Sequence, residues 1–82
     1  YSGNGVKKDL KRAYELFLFA AQKGKADSMR NLGVMYENGN YVKKNLDTAL
    51  RWYSKAVECG NAEAEKDCQR IRRLKKRSSW LR

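Results

Sequence analysis

The chain repeats itself at a spacing of 36 residues, and this repeat restricts its fold more than any other feature. Shifted by 36, Gly3, Asn4, Val6, Lys7, Lys8 and Leu10 fall on Gly39, Asn40, Val42, Lys43, Lys44 and Leu46. Ala13, Ala20, Gly24 and Ala26 fall on Ala49, Ala56, Gly60 and Ala62, while Asp9 meets Asn45 and Phe17 meets Tyr53. No gap is needed, and the matched residues are glycines, small residues and core apolars. A helical unit of this length cannot bury its apolar stripe alone and must stack on its neighbours. The expectation is an all-α chain, an α/α superhelix: a right-handed solenoid of antiparallel helix pairs.

Local signals divide the chain into four helices, at about 10–23, 27–38, 46–59 and 62–77. Gly24, Gly39 and Gly60 each follow a periodic segment, where a left-handed C-terminal cap favours glycine. Asp9 and Asn45 each precede one, where a short polar side chain can accept from free backbone amides. In 46–59, Leu46, Ala49, Leu50, Tyr53, Ala56 and Val57 share one face with Trp52 at its edge; Asp47, Thr48, Arg51, Ser54, Lys55 and Glu58 share the other. That is an amphipathic stripe. In 27–38, Met29, Leu32, Gly33 and Tyr36 face inward. Gly33 costs its helix about 1 kcal/mol relative to Ala, so a close helix approach is expected there.

Composition removes several classes of function. The 82 residues contain no His and two Cys. This excludes Ser-His-Asp and Cys-His catalysis, zinc sites with a His ligand, and a tetrathiolate metal site. No apolar run approaches the roughly 20 residues needed to span a bilayer. The first residue, Tyr1, is not an initiator Met, so the natural start is expected to lie upstream. The net charge is +10, from 19 Lys and Arg against 9 Asp and Glu. Residues 69–82 carry seven of these bases and no acid, whereas residues 1–68 hold twelve bases against nine acids. The excess therefore belongs to the last helix and its tail.

The stretch from Ser28 to Gly60 resembles one complete Sel-1-like repeat, a tetratricopeptide-related helical repeat. The likeness rests on Leu32-Gly33, Tyr36, Gly39, Val42, Asn45, Ala49, Trp52-Tyr53, Lys55-Ala56 and Gly60. Residues 1–27 resemble the second half of a preceding repeat. Cys68-Gln69 and Arg72 stand where Leu-Gly and Tyr would continue the motif, so 62–77 reads as a capping helix and 78–82 as a basic tail. The units expected are thus 1–27, 28–61, 62–77 and 78–82, the last part of a longer array. The resemblance implies a non-catalytic adaptor that binds a protein or peptide partner, with no cofactor. Family members occur both as bacterial secreted or periplasmic proteins and as eukaryotic adaptors, so the compartment stays open.

Three surfaces are candidates for binding. By resemblance, the first helix of each pair lines a concave peptide groove. Here that gives Asp27, Arg30, Asn31, Val34 and Asn38 with Met35 at the edge, joined by Lys66, Asp67 and Arg70 of the last helix. The second surface is helix 10–23, apolar nearly all round. Its Leu18 and Phe19 align with outward-facing Ser54 and Lys55, and suit either contact with neighbouring repeats or self-association. The third is the basic set Arg72, Arg73, Lys75, Lys76 and Arg77. It reads as a solvated cap docked by Cys68, Ile71 and Leu74, or as a site for an acidic protein, nucleic acid or an anionic membrane. Trp80 is the one aromatic near this set. The acids have structural readings: Asp9 as a cap, and Asp47, Glu63, Glu65 and Asp67 in first helical turns, where negative charge is favoured. Gly3-Asn4-Gly5-Val6 lacks the spacing of a phosphate loop. Cys59 and Cys68 allow either a disulfide or two free thiols with Cys68 buried.

Overall fold

The computed structural model describes residues 3–80, with side chains from residue 9 to residue 77. Four helices follow in order: α1 (Gly3–Gln22), α2 (Ala26–Asn38), α3 (Leu46–Glu58) and α4 (Ala64–Trp80). Each packs mainly on its neighbour in sequence, α1 on α2, α2 on α3 and α3 on α4. The described residues contain no strand. This is the all-α helical-repeat architecture expected from the 36-residue period.

The core is where the apolar stripes meet. Leu32, Tyr53, Cys68 and Ile71 are its largest fully buried side chains. Ala49, Ala56 and Ala64 are also fully buried and let the helices close up. Tyr14, Phe17, Leu18, Tyr36, Leu46, Leu50, Trp52 and Val57 are half-buried around them. Gly33 marks the tightest approach: a Cβ there would stand 2.6 Å from Tyr53 Cε1 and 2.7 Å from Cδ1. The helix accepts a poor helix former because the Tyr53 ring occupies the space a Cβ would need.

The turns follow the sequence signals at the glycines. Gly39 takes φ +73 and returns its N–H to the Met35 carbonyl; Gly24 and Gly60 also have positive φ. The link 39–45 is held by α2, since the Asn45 N–H reaches the Tyr36 carbonyl at 2.9 Å. Asn45 then caps α3, its Oδ1 accepting from the Thr48 N–H at 3.0 Å. Tyr41 in this link has φ +65, an uncommon conformation for a bulky residue. Its ring lies 5.5 Å from that of Tyr14, a contact between the link and α1.

Three boundaries differ from expectation. Asp9 is no cap: it lies exposed inside α1, which begins at Gly3. The equivalent residues 39–45 form a link because α2 supplies acceptors at Met35 and Tyr36. Residues 3–9 instead pair their backbone groups within α1. At the other end, a tight turn with i→i+3 bonds from Ala64, Glu65 and Lys66 delays the start of α4. The side chain of Asn61 accepts from the Ala64 N–H at 3.2 Å, a cap not anticipated from the sequence. The expected tail is helical through Trp80; residues 81–82 and the Trp80 side chain lie outside what is described.

Candidate partner-binding surface

An ion-pair network joins α2 to α4. Asp67 on α4 is only 3% exposed. It accepts from Arg30 Nε at 2.7 Å and pairs with Arg70 Nη2 at 2.8 Å. Arg70 also grips Glu37 of α2 with two bonds, Nη2 to Oε1 at 2.6 Å and Nε to Oε2 at 2.8 Å. Glu37 accepts a third bond from the Tyr53 hydroxyl at 2.8 Å. A bidentate guanidinium–carboxylate pair fixes geometry as well as charge. A further polar bond, from Asn61 Nδ2 to Asp27 Oδ1 at 2.9 Å, ties the α3–α4 turn to the start of α2.

The electrostatics follow from these contacts. The Arg70 hydrogen bonds hold the Glu37 carboxyl below the ordinary carboxylate range, against the opposing effect of burial, and the Tyr53 hydroxyl assists. Burial raises the Tyr53 phenol, and its bond to Glu37 adds to the shift. The hydrogen bond to Tyr14, 3.0 Å between hydroxyls, pushes Tyr36 up to about 12, with burial assisting. Arg30 is raised chiefly by its bond to Asp67, and Arg70 chiefly by its bonds to Glu37.

The expected groove residues separate into distinct roles. Asn31 and Asn38 on α2 and Lys66 on α4 are exposed, and Val34 is half-buried. Met35 is 5% exposed and does not belong to the open surface. It lies three residues beyond Leu32 and shares that residue's inward side. Arg30 and Arg70 hold α2 against α4. Asp67, expected from sequence as a first-turn acid on the groove, is instead 3% exposed and the buried centre of their network, because Arg30 and Arg70 close over it. The signal available for that role was its i, i+3 relation to Arg70.

The basic set divides in a similar way. Lys75 pairs with Asp47, and Arg72 reaches Glu65 at 4.0 Å. Arg73, Lys76 and Arg77 are exposed and lie with Lys66, Arg70 and Leu74 along one open groove on the outer side of α4. The docking stripe ends sooner than expected: Cys68 and Ile71 are buried, whereas Leu74 is 39% exposed. Ser54 Oγ lies 3.7 Å from Cys68 Sγ, and Lys75 meets Asp47. In that antiparallel register Leu74 lies beside the first turn of α3, and α4 runs on past it.

On α1, Leu18 turns toward the core and is half-buried, and Phe19 is exposed with Leu16 one turn away. Leu16 and Phe19 correspond across the repeat to Trp52 and Lys55. Lys55 Nζ sits 5.7 Å from the Trp52 ring, and Lys23 Nζ lies 5.1 Å from that of Phe19. Within the complete repeat Lys55 is exposed and Trp52 half-buried.

Both cysteines are free, Cys59 exposed and Cys68 buried. Among the described residues, no three His, Cys, Asp or Glu side chains gather in a metal-binding arrangement. No described helix is long and apolar enough to cross a membrane.

The Sel1 repeat model matches residues 1–25 and again residues 26–61, the second match starting where α2 begins. The ERAD-associated E3 ubiquitin-protein ligase component HRD3B of Arabidopsis thaliana is 36% identical over 62 residues, 76% of this chain and 10% of that protein. DAP3-binding cell death enhancer 1 of Rattus norvegicus is 36% identical over 66 residues, 80% of this chain and 12% of that protein. The chain thus spans roughly a tenth of the length of these relatives. No solved structure gives a significant match. Two consecutive family matches, on a stack of helices with the repeat's glycine turns and Gly33–Tyr53 contact, show that the chain belongs to the Sel1 repeat family, whose repeats are protein–protein interaction scaffolds.

Proposed function

We propose that this segment is a non-catalytic adaptor that holds a peptide or protein partner against the face formed by α2 and α4. The observation that carries the reading is the Arg30–Asp67–Arg70–Glu37 network. It fixes two helices side by side, so a partner meets a surface that is already ordered and loses less binding free energy to ordering. Asp27, Asn31, Val34 and Asn38 follow one another at helical spacing along α2. The two Asn amides offer both donors and acceptors to a peptide backbone, Val34 offers apolar contact and Lys66 a charge. A second contact, between copies of this chain, is assigned to Leu16 and Phe19 on α1.

The test is selection of binders from a displayed peptide library against the 82-residue chain. The paired change Asn31→Ala and Asn38→Ala should weaken the selected peptides by about tenfold, as expected for losing one or two hydrogen bonds. Binding should depend weakly on salt. Selected peptides that ignore this pair, or that respond only to changes on the outer side of α3, would refute the assignment.

A further inference from the structure

We propose that the outer flank of α4 is a docking surface for an acidic amphipathic helix of a partner protein, which lies along Lys66, Arg73 and Arg77 and closes over Leu74. The repeat supplies the reasoning. Under the 36-residue shift, Arg30 of α2 corresponds to Lys66 of α4, and Glu37 corresponds to Arg73. Arg30 and Glu37 are the residues through which α2 holds α4: Arg30 takes the acid Asp67, and Glu37 takes the base Arg70. The α2 edge therefore carries both signs and selects a helix carrying both signs. The α4 edge carries Lys66 and Arg73, both positive. A helix stacked there in the same way meets a base at each position and must answer each with an acid.

Three further observations specify the occupant. First, Arg73, Lys76 and Arg77 face the open groove with Lys66, whereas Arg72 and Lys75 are directed to Glu65 and Asp47. Lys66, Arg73 and Arg77 follow the i, i+7, i+11 spacing and form a line about 16 Å long, while the Arg70 guanidinium is held by Glu37 and Asp67. Arg73 repels Lys76 at i+3 and Arg77 at i+4, so this set of bases opposes helix formation and exceeds what a merely polar cap needs. Second, Leu74 lies within the groove, 39% exposed. An apolar contact amid the cations matches an amphipathic helix, whereas single-stranded nucleic acid would be favoured by aromatic stacking, and none of the described residues lining the groove is aromatic. Third, residues 69–82 carry seven bases and no acid, which disfavours pairing of this flank with the same flank of a second copy. Cys68-Gln69 and Arg72 also interrupt the motif residues of the repeat within α4, and α4 therefore does not offer the usual seat for another regular repeat.

The probe is a synthetic helical peptide with Glu along one face flanked by Leu, titrated against the chain at physiological salt. A Gln version of the peptide, an oligouridylate and phosphatidylserine vesicles form the other arms. The Glu peptide should bind, and Lys66→Glu with Arg73→Glu should weaken it at least about tenfold while admitting a peptide with Lys in place of Glu. Leu74→Ser should weaken the Glu peptide several-fold, and Arg72→Gln with Lys75→Gln should change it by less than about twofold. All these side chains are exposed, and unchanged helical circular dichroism verifies each variant. The proposal is overturned if the Glu peptide does not bind, if Leu74→Ser has no effect, if the paired bases matter as much as Lys66 and Arg73, or if oligouridylate or vesicles bind more tightly.

Discussion

Substituting Gly33 by Ala tests the packing account most directly, because helix propensity and packing predict opposite signs. In an open helix the change gains about 1 kcal/mol. Here the new methyl group would stand 2.6 Å from Tyr53 Cε1, well inside van der Waals contact. The ring has little freedom to retreat: Tyr53 is fully buried, and its hydroxyl is bonded to Glu37, which Arg70 holds. Overpacking of this kind costs about 1–3 kcal/mol. A ring displaced enough to relieve the clash also weakens the Tyr53–Glu37 bond, worth about 1–2 kcal/mol when the acceptor is charged. After the propensity gain, the net loss is about 2 kcal/mol. With a urea slope of about 1 kcal/mol/M for so small a chain, the unfolding midpoint should fall by roughly 2 M. Circular dichroism at the helical minimum gives this directly. The double change with Tyr53→Ala should show the Gly33→Ala penalty vanishing and the propensity gain returning. A Gly33→Ala chain more stable than the parent would refute the close-approach reading.

Other predictions follow from the network and the surface. Asp67→Asn should cost about 2 kcal/mol, below the usual figure for a broken buried pair because Arg30 and Arg70 remain partly in water. Lys75→Ala, breaking an exposed pair, should stay within about 0.5 kcal/mol in the same urea assay. The folded-state value of Glu37 is lowered, so its stabilisation is complete above the unfolded value of about 4.3 and is lost as pH falls through the folded value. Glu37→Gln should flatten that acid limb in urea midpoints measured across the range. Tyr36 and Tyr53 are raised, so their contribution is full below about pH 10 and lost as pH rises through their folded values. Tyr53→Phe should reduce that alkaline loss. Sedimentation over a concentration series should show self-association that Leu16→Asp with Phe19→Asp abolishes; a strictly monomeric parent chain at high concentration would remove the α1 contact.

The sequence by itself determined the repeat, the helical class, the three glycine turns, the Asn45 cap and the approach at Gly33. These are local or periodic properties: a positive φ, a cap three residues from its donor, and apolar positions recurring every three or four residues. Only the tertiary structure decided what the charges do. Arg30 and Glu37 lie 37 and 33 residues from Asp67 and Arg70, and no periodicity says that they meet. Their pairing makes Asp67 a buried centre and leaves Lys66 and Arg73 unanswered on the far flank of α4. Tertiary context also changed the conformation of a matched segment. Residues 3–8 and 39–44 share five of six residue types, yet the first are helical and the second form a link. Carbonyls on α2 hold the link, and such an acceptor is supplied by a neighbouring element rather than by the residues it holds.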